Sequence, residues 1–261
     1  MSLFDFLKHK PKEALPIFES LGTDMHCHLV PMVDDGSKSI DESVTCLRVM
    51  RAAGFENIIC TPHFQFPRFP NEENDIRQRF KALNNDIAAH GGINGLKLAG
   101  VGGEYRIDSG FQGRIDNNKF LLVADKYLLV EFSLHQQVMG LDEILFDLQM
   151  KGFDIILAHP ERYPYYSAQS TRLEHFKEMG ILFQVNILSL SGFYGEGPRQ
   201  KAFQFVENGW AELMGTDMHN TLYAQALIDA SHDRKIEKLI AHHTFMNRDL
   251  LSIHAPKANK I

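Results

Sequence analysis

Short apolar runs alternate with amphipathic stretches along most of this chain. Residues 57–61 (Asn-Ile-Ile-Cys-Thr), 127–131, 154–158, 182–186 and 211–215 are aliphatic or β-branched runs too short for a helix, and they read as buried strands. Between them the apolar positions fall at helical spacing. Residues 41–53 set Val44, Leu47, Val49 and Met50 on an apolar face and stop at Gly54, a natural helix end. Further helices are expected over about 71–89, 141–151, 172–179 and 199–208. Gly152 and Gly180 stand where two of them must end before the next strand. Helices near 222–230 and 235–243 close the chain.

Repeated strand–helix alternation predicts a parallel sheet with helices outside it. About seven such units in one domain predict an α/β fold of the closed or nearly closed (β/α) barrel type, in which the C-terminal strand ends carry the chemistry. With 261 residues and 44% hydrophobic content, the chain can build a single large core. A net charge of -6 argues against nucleic acid as the main partner. Cys27, Cys46 and Cys60 form neither a disulfide framework nor a zinc CxxC pair, which predicts a reducing, cytoplasmic setting. No run is long enough to span a membrane. Residues 1–22 read as an extension before the domain at 23–261. It begins with an amphipathic helix whose Leu3, Phe4, Phe6 and Leu7 pack on the body.

The chemistry lies at the strand ends. His26 and His28 at i, i+2 turn both rings to one side of an extended segment, while the intervening Cys27 points away. Asp35 follows in an Asp-Asp-Gly turn. His63 and His159 each neighbour a proline. Glu104 and Glu131 end apolar segments, where a carboxylate needs a partner or a cation. Asp217 and His219 repeat the i, i+2 spacing after the last strand. These nine side chains are too many for one ion and suit two or three, with a carboxylate bridging. Such clusters bind phosphate oxygens and supply hydroxide near neutral pH. Oxygen and nitrogen donors admit manganese, iron, zinc and magnesium. No cysteine has an arginine six positions on, as a cysteine-dependent phosphatase requires: those positions hold Val33, Ala52 and Phe66.

The series His26-Cys27-His28-Leu29-Val30-Pro31, Asp34-Asp35-Gly36, Thr61-Pro62-His63, His159-Pro160-Glu161-Arg162-Tyr163, Gln184-Val185-Asn186 and Asp217-Met218-His219-Asn220 resembles the polymerase-and-histidinol-phosphatase (PHP) superfamily. Within it, the series is similar to the bacterial tyrosine-protein phosphatases of capsular polysaccharide operons. The resemblance implies a distorted (β/α)7 TIM-like barrel with up to three metal ions, often manganese, held by the nine residues. It implies Arg162, Asp217 and His219 as catalytic residues, with Arg162 and Tyr163 meeting the substrate. The expected reaction is hydrolysis of phosphotyrosine by a metal-bound hydroxide. The implied partner is the phosphotyrosine tail of a bacterial tyrosine kinase controlling polysaccharide export.

One departure stands out. Many relatives carry an arginine shortly after Asp-x-His-Asn, where this chain reads Thr221-Leu222-Tyr223-Ala224-Gln225. A second phosphate-gripping cation then either comes from elsewhere, with Arg68, Arg106 and Arg199 as candidates, or is missing. Phe64, Phe66, Phe69, Tyr163, Tyr165, Tyr166, Phe193 and Tyr194 lie in loops near the motifs and are candidates to meet a phenyl ring. The competing functions are a small-molecule phosphatase of the histidinol-phosphate type, and a PHP-fold binding protein without turnover.

Overall fold

A computed structural model describes residues 12–252; the expected N-terminal helix through Leu3, Phe4, Phe6 and Leu7 lies outside them. The strands are β1 (Thr23–Asp24), β2 (Asn57–Cys60), β3 (His63–Phe64), β4 (Lys97–Val101), β5 (Glu104–Arg106), β6 (Tyr127–Glu131), β7 (Asp154–Ala158), β8 (Leu182–Asn186) and β9 (Ala211–Gly215). They hydrogen-bond in the orders β1-β2-β4 and β3-β5-β6-β7-β8-β9, and every pairing is parallel.

The two sheets are one ring of seven positions. Only Thr61-Pro62 separates β2 from β3, and only Gly102-Gly103 separates β4 from β5. The Gly102 amide donates to the Cys60 carbonyl (2.8 Å) and the Glu104 amide to Pro62 (3.0 Å), which carries the ladder across both breaks. Beyond β1 and β9 the Asp217 amide donates to the His26 carbonyl (2.8 Å) and the His28 amide to Met218 (2.8 Å). These bonds close a distorted (β/α)7 barrel at its C-terminal rim.

Two apolar shells result from the period of two along each strand. Leu128, Val130, Ile155, Leu157, Phe183 and Val185 face the helices. Met25, Ile59, Leu129, Ile156 and Leu213 fill the barrel interior, and Leu250 from the C-terminal segment joins them. Continuing the inner row from Tyr127 and Leu129 turns Glu131 inward at the rim.

The main helices are α1 (Ile40–Ala52), α2 (Glu73–Ala89), α3 (Phe111–Asn117), α4 (Leu141–Met150), α5 (Thr171–Glu178), α6 (Ile187–Leu190), α7 (Glu196–Glu207), α8 (Thr221–Ala230) and α9 (Arg234–His242). Ser39, Asn220 and Asp233 cap α1, α8 and α9 with their side chains. Residues 12–22, which precede the expected start of the domain, pack onto it. Phe18 is fully buried and stacks on Phe55 at 5.9 Å, and Leu21 also joins the core.

Candidate metal centre and active site

All nine residues singled out by the sequence converge at the C-terminal rim. Glu104 begins β5, Glu131 ends β6 and His63 begins β3. His26, His28, His159, Asp217 and His219 follow strands within four residues, and Asp35 lies in the turn further beyond β1. His159 (φ 35) and Asp217 (φ 52) hold left-handed backbones that are costly for non-glycine residues and cluster at functional sites. These bends swing the two side chains over the mouth.

Glu104 Oε2 is the hub. It lies 3.2 Å from His26 Nε2, 3.3 Å from His28 Nε2 and 3.0 Å from His63 Nδ1. It is shut from solvent and forms no aligned hydrogen bond with any of them. Its other oxygen accepts from His159 Nε2 at 3.0 Å. Asp217 Oδ1 lies 3.5 Å from His26 Nε2 and 3.3 Å from His28 Nε2. Asp35 Oδ1 stands 3.5 Å from His63 Nε2 and 3.7 Å from His219 Nε2.

Three overlapping groups arise, each with its ligand atoms within 4.8 Å of one another: His26, His28, Glu104 and Asp217; His63, Glu104 and Glu131; and His28, His63 and His219. Buried oxygen and nitrogen atoms this close, with Glu104 Oε2 left without a hydrogen-bond partner among them, fit divalent cations. His63 Nδ1 and Asp35 Oδ1 are buried without partners in the same way.

The outer atoms fix which nitrogen faces in. His26 Nδ1 donates to Gln184 Oε1 (2.7 Å), while Gln184 Nε2 donates to Asn186 Oδ1 (2.9 Å). His28 Nδ1 donates to Asp34 Oδ2 (2.8 Å) and His219 Nδ1 to the Asp217 carbonyl (2.7 Å). In all three rings Nε2 is left to face the cluster.

Electrostatics tell the same story. Burial opposes the His26 cation, yet Glu104 and Asp217 outweigh it and raise its pKa to about 9. Burial likewise opposes ionisation of Glu104 and Asp217, but the surrounding imidazoles hold both well below the ordinary carboxylate range. The carboxylates that suit a cation thus also favour the protonated form of the His26 imidazole.

Above the cluster is an opening of about 250 Å³ lined by Arg68, Arg106, Arg162, Gln65, Asn220 and Tyr223 beside the ligand residues. Arg162 Nη1 donates to Asp217 Oδ2 (2.8 Å) and its guanidinium lies over the Tyr194 ring at 4.2 Å. Arg106 pairs with Glu131 at 3.2 Å, and Arg68 with Asp35 at 3.1 Å. Of the three candidates for a second cation, Arg68 and Arg106 are at the opening. Arg199 is elsewhere, donating to the Leu190 carbonyl.

Two further expectations meet the geometry differently. Tyr163 is fully buried; its hydroxyl donates to the Ala158 carbonyl and accepts from the Phe132 amide, both at 2.9 Å. It anchors the loop and cannot meet a substrate, which corrects its expected role. Cys27 is buried with its thiol 3.9 Å from Cys60 Sγ, outside the imidazole cluster, and burial pushes its pKa up. That removes it as a nucleophile.

Sequence reasoning passed over the supporting residues. Asp34 also accepts the His63 amide (2.9 Å), so it braces two imidazoles at once. The adjacent Asp-Asp pair was the available signal, with one carboxylate for the cluster and one behind it. Asn186 donates to Asp217 Oδ2 (2.8 Å), and buried Glu161 accepts from the Asn186 amide (3.0 Å) and Ser189 Oγ (2.6 Å). Alternation along β8 could have placed Gln184 and Asn186 inward.

A closed parallel barrel with a histidine–carboxylate cluster and three arginines at its rim defines a metal-dependent hydrolase of the α/β-barrel class. More narrowly, the chain belongs to the capsular polysaccharide synthesis family CpsB/CapC, which matches residues 22–249. It is 29% identical over 203 residues to the tyrosine-protein phosphatase YwqE of Bacillus subtilis, covering 76% of this chain and 77% of that one. It is 28% identical over 203 residues to the tyrosine-protein phosphatase CpsB of Streptococcus pneumoniae, covering 76% and 82%. The fold superposes with a TM-score of 0.75 on a crystal structure from work on those two proteins, described as unique metal-dependent tyrosine phosphatases. That match has 26% identity and covers 88% of this chain and 94% of the other.

Proposed function

We propose that this protein is a metal-dependent phosphatase that removes phosphate from phosphotyrosine, with the tail of a bacterial tyrosine kinase controlling polysaccharide export as its cytoplasmic substrate. The observation that carries the reading is the coincidence of the nine-residue cluster with three arginines at one opening. Its metal-dependent tyrosine phosphatase relatives support the choice of substrate.

His26, His28, Asp35, His63, Glu104, Glu131, His159, Asp217 and His219 would hold two or three divalent ions, manganese first among them. Ions held there neutralise phosphate charge and make water acidic enough to attack near neutral pH. The chain's own residues do the rest. Arg162 keeps donors beyond the one spent on Asp217, and a planar guanidinium suits two phosphate oxygens at once. Asp217 and Tyr194 hold that guanidinium in place. Arg68, 60% exposed, is placed to exchange Asp35 for the phosphate and so supply the second cation. His219 and Asp217 complete the floor on which the phosphate sits. Among the described residues no helix is long and apolar enough to cross a membrane.

The test is phosphate release by the manganese-loaded protein from a phosphotyrosine peptide, a phosphoserine peptide and histidinol phosphate. Preference for the phosphotyrosine peptide supports the proposal. Preference for histidinol phosphate moves the protein to small-molecule chemistry, and silence on all three with metal bound leaves a binding protein.

A further inference from the structure

Beside the catalytic opening lies a second cavity of about 360 Å³, lined by Phe64, Phe66, Pro70, Arg106, Phe111 and Lys119 among others. Arg106 borders both spaces, so they adjoin. The segment between them is a tight hairpin in which the Gln65 amide donates to the Phe69 carbonyl (3.0 Å) and the Phe69 amide returns the bond (2.6 Å). Gln65 and Arg68 of this hairpin face the catalytic opening, whereas Phe66 and Pro70 face the second cavity.

Phe66 is 56% exposed, and its ring lies at the rim of this cavity. Its amide is pinned to Asp108 Oδ2 at 2.7 Å, and Asp108 Oδ1 accepts the Gly110 amide at 2.8 Å. A side chain at position 110 would meet Phe66 Cβ at 2.8 Å, so glycine gives the ring its room. The polar lining is largely occupied within itself. Arg114 is held by Glu73 (2.7 Å) and the Asn71 carbonyl (2.6 Å), and Lys119 stands 3.8 Å from Glu72. Both Asp108 oxygens are spent. An incoming charge finds few free partners here, whereas an incoming apolar group finds an exposed ring.

We infer that this cavity is a subsite for a large apolar side chain flanking the phosphotyrosine of a peptide substrate, with Phe66 as its specificity-determining residue. The inference rests on the phosphotyrosine reading above. At about 360 Å³ the cavity has more than enough room for one such side chain. Contact with Phe66 favours apolar flanks by withdrawing both surfaces from water.

The test compares phosphotyrosine peptides carrying Leu, Phe, Gly or Glu at each of the two positions on either side, with p-nitrophenyl phosphate as a substrate lacking flanks. The manganese-loaded wild type, Phe66→Ala and Phe66→Leu are assayed in parallel. At one flanking position Leu or Phe should raise kcat/KM roughly tenfold over Gly, through KM. Phe66→Ala should abolish that preference and Phe66→Leu retain it, with p-nitrophenyl phosphate turnover equal in all three proteins. Equal rates for every flank, an apolar preference that survives Phe66→Ala, or a preference for Glu overturns the subsite while leaving the phosphatase reading intact. Turnover of p-nitrophenyl phosphate but no phosphotyrosine peptide overturns both.

Discussion

Asp34 and Asp35 differ by one position and do different work. Asp35 reaches the cluster, whereas Asp34 stands behind His28 and also holds the His63 amide. Asp34→Asn should weaken divalent-metal affinity by about 10- to 100-fold, as loss of an orienting carboxylate does elsewhere. Calorimetric titration of the metal-free protein checks this, with the circular dichroism spectrum unchanged. The convergence of the nine residues on one rim could be expected from their joint placement at strand ends, since His-x-His, Asp-x-His or a strand-end carboxylate alone is only moderately specific. Asp34, Gln184 and Asn186 were not assigned roles, since nothing local distinguishes a residue that touches a metal from one that touches its ligand. Tyr163 misled for a related reason: adjacency to Arg162 in sequence does not imply a shared side of the loop.

The protonated His26 imidazole gives a second residue-level prediction. The His26 pKa is raised to about 9 against an ordinary 6.5. Stability carried by that proton is complete below 6.5 and is lost as pH rises through about 9. Asp24, raised by burial to about 7 from 3.8, also loses stability as pH rises, between those two values. The Tm of the metal-free protein should therefore fall from pH 6.5 to 9, and saturating manganese should flatten the fall by supplying the positive charge. A rise in the metal-free Tm over that interval would contradict this assignment.

At the scale of elements, the strands at 127–131, 154–158, 182–186 and 211–215 were legible to the residue, because each is a short, mostly buried run between helical stretches. The strand at Lys97–Val101 was not. Its Leu-Ala-Gly-Val core followed by Gly102-Gly103 lacks the bulk that marks a strand. Glycine is needed there: a side chain at 102 would strike Val123 at 2.8 Å, and one at 103 would strike Phe64 at 2.6 Å. The α7 helix begins at Glu196, earlier than expected, because Pro198 in a first turn is compatible with a helix start. The Asp34-Asp35-Gly36 turn is just as constrained, since a methyl group at Gly36 would run into the His28 carbonyl and Cβ. Gly36→Ala should displace His28 and cut phosphate release about a hundredfold, measured at saturating manganese with secondary structure retained.

Across the whole molecule, closure of the barrel joins the first strand to the segment around Asn247. Asn247, fully buried, donates to the carbonyls of Thr23 (2.9 Å) and Met214 (2.7 Å) and accepts the Met214 amide (2.9 Å). It ties the C-terminal segment to the first and last strands. Asn247→Ala should cost about 3 kcal/mol by stranding buried backbone groups, read by urea denaturation, with the metal affinity of the folded protein unchanged. The barrel and its rim cluster were legible from alternation and motif placement together. The identity of the second cation was not, because Arg68, Arg106 and Arg199 are equivalent until the fold sends Arg199 elsewhere.

The central claim is that the histidine–carboxylate cluster works only as a filled metal centre. Its most direct test is a stoichiometric titration of chelated protein with manganese, following bound metal and phosphate release from a phosphotyrosine peptide together. Release should be absent without metal, rise with added manganese and level off at two to three ions per chain, and His28→Ala should lower both plateaus. Release that persists in fully chelated protein, or a plateau reached with no more than one ion bound, would contradict the account.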